Sequence, residues 1–286
     1  MNKYKMIASM LIFGTLGIFV TFIPLPSSLI ALSRSVLGTI SLAAVILFGR
    51  GKKVDLSHIK KNALLLLLSG IALGFNWILL FESYARTGVN VGTVCYYMAP
   101  VFTVLLSPLL LKEKVGARKL VFTALAVVGA VLISGIGTDS AADPTGIVMG
   151  LSAALLYSSI VIMNRKMKGL SPMETTFSQL GISAIVMLVY VLFTVDLSNI
   201  RLTLTPALLL IAVGVIHTGL AYALFFGAAN KLPAQTTSLL SYIDPALAII
   251  LSALILHQDM SFLQIVGTVM ILGSTLICEW LESRNK

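Results

Sequence analysis

Long apolar runs, separated by short polar gaps, make up most of this chain of 286 residues. A helix needs about 20 residues to cross roughly 30 Å of hydrocarbon, and ten runs are close to that length. They are Met6–Ile23, Leu29–Phe48, Asn62–Tyr84, Val89–Leu111, Arg118–Ile136, Gly146–Met163, Met173–Thr194, Pro206–Ala229, Ala234–Leu256 and Ser261–Trp280. The runs lack the period of two that membrane β-barrels show. The pattern predicts an all-α integral membrane protein with ten transmembrane helices.

Residues that interrupt helices lie in eight of the nine gaps between these runs. They are Pro24 and Pro26, Gly51, Gly88, Gly116, Asp143 with Pro144, Gly169 with Pro172, Asn199 and Pro233. The gaps are short, so no domain outside the membrane is predicted.

Composition agrees with a lipid environment. The chain is 58% hydrophobic and 11% charged, with a mean hydropathy of +1.00, whereas soluble domains are about 25% charged. With the N-terminus inside, seventeen of the 20 Lys and Arg residues fall in inner gaps, and only Arg86 and Arg201 in outer ones. This bias predicts a protein of the cell (inner, cytoplasmic) membrane with both termini cytoplasmic. It also explains the net charge of +9 without nucleic-acid binding.

The two halves of the chain resemble each other at a shift of 145 residues. The shift pairs Phe81 with Phe226, Tyr97 with Tyr242, Pro100 with Pro245 and Gly74 with Gly219, and it places Trp77 opposite Tyr222. We therefore predict two repeats, at residues 1–138 and 146–286. Each repeat has five helices, and an odd number forces the second to enter the membrane upside down. Such inverted repeats suit alternating access to one site at their interface.

Several motifs resemble the drug/metabolite transporter superfamily, in its ten-helix EamA-like branch. Arg34 lies in "LIALSRSVLG", and Pro100 precedes Glu113 by a spacer of twelve residues. The second half repeats the pattern with Asp244 and Pro245, followed by a glycine helix with Gly267 and Gly273. It departs from the pattern at Gln258, where an acid is expected. The resemblance covers nearly the whole chain and implies a 5+5 inverted bundle with a central cavity and peripheral fifth and tenth helices. It does not imply a substrate.

Asp244 is the main candidate for a functional charge, because a carboxylate near the middle of a membrane is costly. Thr237, Ser241, Asp244 and Ala248 share one helical face. The carboxylate is expected either to titrate or bind a cation, or to cap the helix break before Pro245. Tyr96 takes the place of Ser241 in the first half. The predicted site therefore has a carboxylate on one wall and an aromatic ring on the other.

Arg34 and His217 each have a functional interpretation and a structural one. Arg34 lies within the second run, where it is expected to bind a substrate carboxylate, to extend toward the membrane surface, or to pair with Glu82; the pair is favoured. His217 lies alone in the eighth run, and a structural hydrogen bond is favoured over a proton or substrate role. Glu113 is expected to be a solvated interface charge.

Aromatic and amide side chains away from the membrane interfaces are the predicted cavity lining. They are Asn76, Trp77, Tyr96, Tyr97, Tyr157, Tyr222 and Tyr242. Pro100 and Pro245 are expected to mark bends that act as hinges. The glycines of "GTLG", and those of the fifth and tenth helices, are expected to allow close helix packing.

These features predict a secondary transporter, with export as the direction, of a small organic metabolite such as an amino acid. Asp244 is the candidate for coupling to protons. No metal or cofactor is predicted, because no cysteine or nucleotide motif is present. The alternatives are a membrane enzyme that uses Glu82, His217 and Asp244, or a channel or helper subunit. Oligomeric state does not follow from the sequence.

Overall fold

A computed structural model describes residues 2–48, 56–112, 116–134, 142–200, 202–229, 231–232 and 234–284. Within these ranges the regular structure is helical throughout, without a strand. The helices are α1 Asn2–Thr21, α2 Ser27–Phe48, α3 Leu56–Lys61, α4 Ala63–Tyr96, α5 Ala99–Leu110, α6 Ala117–Ser134, α7 Pro144–Lys166, α8 Pro172–Thr194, α9 Leu204–Ile211, α10 Ala221–Ala229, α11 Ala234–Ser241, α12 Ile243–Ile255 and α13 Phe262–Arg284. A 3₁₀ turn covers Leu197–Asn199, and a π-helix, Ala212–Leu220, joins α9 to α10.

Six helical segments in the described ranges are long and apolar enough to cross a membrane. They are α1, α2, α4, α7, α8 and the continuous segment Leu204–Ala229; shorter apolar helices cover Ala99–Leu110, Ile243–Ile255 and Phe262–Cys278. Large apolar side chains on their outer faces are exposed, such as Phe193 and Leu109. Soluble proteins rarely expose so much continuous apolar surface. The fold is that of an all-helical protein that crosses the membrane several times.

The third apolar run and the first part of the fourth run form one continuous segment, α4, with a break inside it. Gly88 has φ +85° and ψ 161° there, a conformation that L-residues with side chains rarely adopt. A Cβ atom at Gly88 would lie 2.8 Å from Asn90 Oδ1 and 2.9 Å from Gln258 Oε1. The helix interruption predicted at Gly88 is confirmed, because the backbone kinks there between two helical parts.

The fourth and ninth runs are each divided, which the sequence boundaries did not anticipate. α4 ends at Tyr96 and α5 begins at Ala99, while α11 ends at Ser241 and α12 begins at Ile243. Pro100 and Pro245 lie in the first turns of α5 and α12, where a missing N–H costs no helical hydrogen bond. The bends expected near these prolines are therefore present, three residues upstream, at Tyr97 and Tyr242.

The backbone repeats at the same shift as the sequence. Lys112 has φ +57° just after α5, and His257, 145 positions later, has φ +52° just after α12. Each follows an equivalent hydrogen bond, from Leu111 N to Ser107 O and from Leu256 N to Ser252 O. Equal helix ends at equivalent positions show that the two halves share local conformation as well as residues.

Glycines allow several helices to approach closely. A Cβ on Gly267 of α13 would lie 2.5 Å from Gly129 O of α6, and one on Gly129 would lie 2.7 Å from Gly267 O. A Cβ on Gly14 of α1 would lie 2.8 Å from Asp244 O. The expected glycine packing is confirmed at these positions. It is wrong for Gly273, where nothing lies within 4 Å of a Cβ atom.

Candidate functional site

Arg34 is held inside the helix bundle by an aromatic ring and a hydroxyl. Its side chain is 3% exposed. The guanidinium carbon lies 4.0 Å from the centroid of the Trp77 ring, and Nε donates to Thr218 Oγ1 at 3.0 Å. A guanidinium stacked on indole is favourable, more so away from water. The expectation that Arg34 reaches the membrane surface is wrong, because the side chain is buried.

The favoured pairing of Arg34 with Glu82 is also wrong. The ion pair that the described residues form is between Arg86 and Asp143, at 3.5 Å, and Glu82 is not within such a distance of Arg34. Arg34 instead points across to the π-helix, on the other half of the chain, through Thr218. The partner of Arg34 is therefore decided by the packing of α2 against the π-helix, and not by the contact of α2 with α4, the helix that carries Glu82.

The two Nη atoms of Arg34 have no hydrogen-bond partner among the side chains and backbone that the structure describes. Within that part of the chain, the fully buried side-chain atoms without a partner are Ser83 Oγ and Thr237 Oγ1. The Nη atoms are not in this group, so they remain accessible from the space between the helices. Arg34 thus has four N–H donors, fixed in one plane, that the described part of the chain leaves unpaired.

Asp244 lies at the start of α12 and is partly accessible. Its Oδ2 accepts a hydrogen bond from the Tyr97 hydroxyl at 3.0 Å, which joins equivalent ends of the two repeats. The residue at the helix cap is Tyr242, and no side chain caps the backbone there. The capping role considered for Asp244 is therefore wrong. Asp244 and Arg34 interact electrostatically through space, without direct contact.

Tyrosines line the space around these two charges. The Tyr96 ring lies 5.5 Å from Tyr157 and 6.4 Å from Tyr97, and Tyr97 lies 6.5 Å from Tyr242, all between centroids. On the opposite side, Tyr222 stacks on Phe226 at 5.7 Å and meets Phe13 edge-on at 5.3 Å. The walls are therefore aromatic surfaces with phenolic hydroxyls.

Asn76 lies next to Tyr96 and connects two of the helices that carry these tyrosines. It is fully buried, and its Nδ2 donates to the backbone oxygen of Ala153 at 2.6 Å, which ties α4 to α7. Its Oδ1 accepts a long hydrogen bond, 3.5 Å, from the Tyr96 hydroxyl. Asn76 therefore positions Tyr96 rather than offering a free amide to the cavity.

His217 is part of the π-helix, where both ring nitrogens have partners. Nδ1 lies 3.2 Å from Ala212 O, five residues earlier, and Nε2 lies 2.9 Å from Thr15 Oγ1. Thr15 also lies 2.7 Å from Ile12 O, and its single proton serves only one of the two acceptors. These contacts agree with the favoured structural interpretation of His217. π-helical turns occur mostly at functional sites, and this one also positions Thr218.

The structure brings most of the predicted site residues together, but not all of them. Ser241 donates to Thr237 O at 2.9 Å within its own helix, and Glu82 contacts none of the charged or aromatic groups described above. Glu113 lies outside the described residues. Thr218, Phe13 and Tyr84 were missed; Tyr84 lies within electrostatic reach of both Arg34 and Asp244. Nothing in the apolar pattern distinguishes Thr218 from a helix-packing threonine.

Two hydrogen bonds join the two halves at one end of the bundle. Val89 N donates to Gln258 Oε1 at 2.8 Å, and Asn90 Nδ2 donates to Gln258 O at 3.3 Å. Asn90 and Gln258 border a surface cavity of about 570 Å³. Nearby, the backbone N–H of Thr145, together with Arg86, holds the pKa of Asp143 below its usual value. Gln258, the position that departs from the family pattern, is thus a contact point between repeats.

Comparison with known proteins identifies the family. The model of the EamA-like transporter family matches the chain twice, at residues 4–135 and 144–279. The chain belongs to the EamA-like transporter family. The uncharacterized transporter YxxF of Bacillus subtilis (strain 168) is 31% identical over 272 residues, which cover 93% of this chain and 86% of YxxF. Protein PecM of Dickeya dadantii (strain 3937) is 26% identical over 227 residues, covering 78% of this chain and 76% of PecM.

A solved crystal structure has the same fold. It is 20% identical to this chain, superposes with a TM-score of 0.65, and the match covers 99% of this chain and 98% of the other. The family and the apolar helices together establish a multi-pass membrane transporter, with the lipid bilayer as its environment and a small solute as its cargo. The resemblance inferred from Arg34, Pro100 and the second-half motif is confirmed.

Proposed function

We propose that this EamA-like protein is a secondary transporter of a small zwitterionic metabolite, such as an amino acid, with export as its direction. The observation that carries the proposal is the arrangement of Arg34 and Asp244. Both charges lie among the same tyrosines, within electrostatic reach of each other, and they are not paired with each other. Export rests on the family resemblance.

The chemistry of the two groups favours a zwitterion. The free Nη atoms of Arg34 form a planar fork that matches a carboxylate. Asp244 uses Oδ2 for Tyr97, and its other oxygen is available for an ammonium group. A solute with both charges neutralises both side chains at once, which repays part of the cost of desolvating them. The rings of Tyr96, Tyr157 and Tyr222 would contact its apolar part.

Contacts between helices support ten crossings in a 5+5 inverted arrangement, with repeats at 1–138 and 146–286. Exchanging equivalent helices maps contacting pairs onto contacting pairs. α1 contacts α12 and α10, and its counterpart α7 contacts α5 and α4; α2 contacts the π-helix, and α8 contacts α4. The pairs α2–α8 and α6–α13 map onto themselves. This is the pattern expected of a pseudo-two-fold axis in the membrane plane.

The same symmetry supports alternating access. Gln258 and the Gly88 bend join the two repeats at one end of the cavity. The charge bias assigns that end to the outside, with both termini cytoplasmic. Opening it requires these hydrogen bonds to break while the segments move at the Tyr97 and Tyr242 interruptions, beside Pro100 and Pro245. Glycine contacts between α6 and α13 would remain outside this movement.

Asp244 is the proposed site of proton coupling. Protonation would release the ammonium group of the solute and the Tyr97 contact together. Replacing Asp244 by Asn should abolish pH-driven accumulation while exchange of solute partly persists. Unchanged pH dependence of accumulation in this variant would exclude Asp244 from coupling.

Transport and binding by purified protein in proteoliposomes test the proposal. The panel is a set of amino acids, each with its carboxamide and its deaminated acid. Arg34→Gln should weaken amino-acid binding about a hundredfold or more, because each of two charge-assisted hydrogen bonds is worth about 1.5–3 kcal/mol. Binding of the carboxamides should change little. Arg34→Lys keeps the charge but not the planar pair of donors, so its loss of affinity for amino acids should be intermediate.

Arg86→Gln is the matched control, since Arg86 is a surface arginine paired with Asp143, and it should bind as the original protein does. Saturable flux that is unchanged in both Arg34 variants would refute the proposed role of Arg34 in binding, but not the proposal that the protein is a carrier. No flux across the whole panel would count against the function itself. Flux that does not saturate would favour a channel. The relatives are named transporters, which favours transport over the alternative of a membrane enzyme.

A further inference from the structure

A basic pocket lies where the α3–α4 corner meets the turn between α7 and α8. It has a volume of about 450 Å³, and the described residues that line it include Lys61, Lys166, Lys168 and His58 and no acidic residue. Glu174, the acid nearest in the following helix, accepts a hydrogen bond from Ser171 N at the start of α8. Three lysines converge here from two hairpins that are about a hundred residues apart.

The pocket is held in shape by Asn62, which is 7% exposed. Its Nδ2 donates to Lys168 O at 3.0 Å and to His58 O at 2.8 Å, and its Oδ1 accepts from Lys168 N at 3.2 Å. Gly169 has φ +82°, and a Cβ there would lie 2.5 Å from the His58 ring. The backbone that carries the lysines is therefore fixed by buried contacts between the two hairpins.

The pocket lies at the polar end of a lipid-facing apolar stripe. α4 begins at Ala63, directly after Asn62. Leu64 and Leu68, one turn apart on the same face, are 68% and 47% exposed, and Leu65 lines the pocket itself. A cationic pocket above exposed leucines matches a molecule with an anionic head and an apolar chain.

We propose that this pocket binds the phosphate headgroup of an anionic phospholipid, with an acyl chain along Leu64 and Leu68. Basic pockets between transmembrane helices on the cytoplasmic side are suited to such headgroups. Lysine binds phosphate as a compact charge with three donors. The leucine stripe distinguishes a lipid from a soluble phosphate, which would gain nothing from it. The inference does not depend on the transported solute.

Native mass spectrometry of the purified protein, titrated with phosphatidylglycerol or phosphatidylcholine, tests this site. The variant Lys61→Gln with Lys168→Gln should lose about thirtyfold in affinity for phosphatidylglycerol, since each lysine near an anionic headgroup contributes about fivefold. Phosphatidylcholine binding should not change. The matched control is Lys3→Gln with Lys5→Gln, which removes two exposed lysines from the start of α1.

An equal loss in the control would overturn the proposal, because it would show diffuse attraction rather than a site. Full displacement of phosphatidylglycerol by inorganic phosphate would also overturn it, in favour of a soluble anion. Leu64→Ser with Leu68→Ser keeps every lysine. This variant should bind phosphatidylglycerol more weakly, whereas its affinity for inorganic phosphate should not change. Unchanged lipid affinity in this variant would contradict the role of the stripe. Melting temperatures of all variants show whether each remains folded.

Discussion

Replacing Gln258 by alanine tests the contact that closes one end of the bundle. The change removes the acceptor of the Val89 N–H, a hydrogen bond of 2.8 Å. The bond from Asn90 goes to the backbone oxygen of residue 258, so it survives the substitution. The variant therefore removes a single hydrogen bond between the repeats at the Gly88 bend.

The size of the effect follows from the surroundings of that bond. A typical hydrogen bond contributes about 0.5–1.5 kcal/mol net. Val89 is buried, but Gln258 borders an open cavity of about 570 Å³. Water can therefore replace the lost acceptor, and the cost should fall in the lower part of this range. We expect local opening to become about two- to fivefold more frequent.

Hydrogen–deuterium exchange measured by mass spectrometry, on a peptide that contains Val89, reports this opening. Gln258→Ala should exchange about two- to fivefold faster there, and peptides from α6 and α13 should be unchanged. Gln258→Glu retains an acceptor oxygen and should keep the original rate. Equal rates in Gln258→Ala and the original protein would refute the closing role of the side chain. An equally large increase in the exchange rate in Gln258→Glu would show that the shape of the side chain, rather than its hydrogen bond to Val89, limits opening.

Two further substitutions test the packing and the surface charges. Gly267→Ala places a Cβ against Gly129 O and should lower the melting temperature, at a cost of about 1–3 kcal/mol; Gly273→Ala, with open space around it, should not. Asp143→Asn keeps a good helix cap but removes the charge beside Arg86. The melting temperature of this variant should therefore be lower than that of the original protein at neutral pH. Because the pKa of Asp143 is lowered, that difference should persist above the usual carboxyl value of 3.8 and vanish as the pH falls through the lowered pKa. A difference that persists in acid would contradict the charge argument.

Local features of the fold were predictable from the sequence because they depend on local sterics. The apolar lengths predicted membrane-spanning helices, and Gly88 predicted the break inside α4. Pro100 and Pro245 predicted bends, and each helix interruption lies three residues upstream, because proline is tolerated in the first turn of a new helix but not in the interior of a continuing one. The short helix α3 was not predicted, because its six polar-rich residues have no apolar period.

The partners of buried charges were not predictable in the same way. Arg34 was expected to pair with Glu82 on a neighbouring helix, yet it bonds Thr218, which is 184 positions away. Asp244 was expected to have a local partner if it was structural, and its partner is Tyr97, 147 positions away. Such contacts depend on how the two repeats pack, and one sequence without its relatives carries no signal for that packing.

The π-helix explains why Thr218 in particular escaped detection. A regular α-helix has a period of 3.6 residues, and that period sets which side chains share a face. In the observed π-helix the side chains of His217 and Thr218 each bond a backbone oxygen five residues earlier, so the turn holds one extra residue. The wider turn lets two adjacent residues serve different helices: His217 contacts Thr15 of α1, and Thr218 contacts Arg34 of α2. The π-helix thus carries both the ring that contacts α1 and the hydroxyl that accepts the hydrogen bond from Arg34.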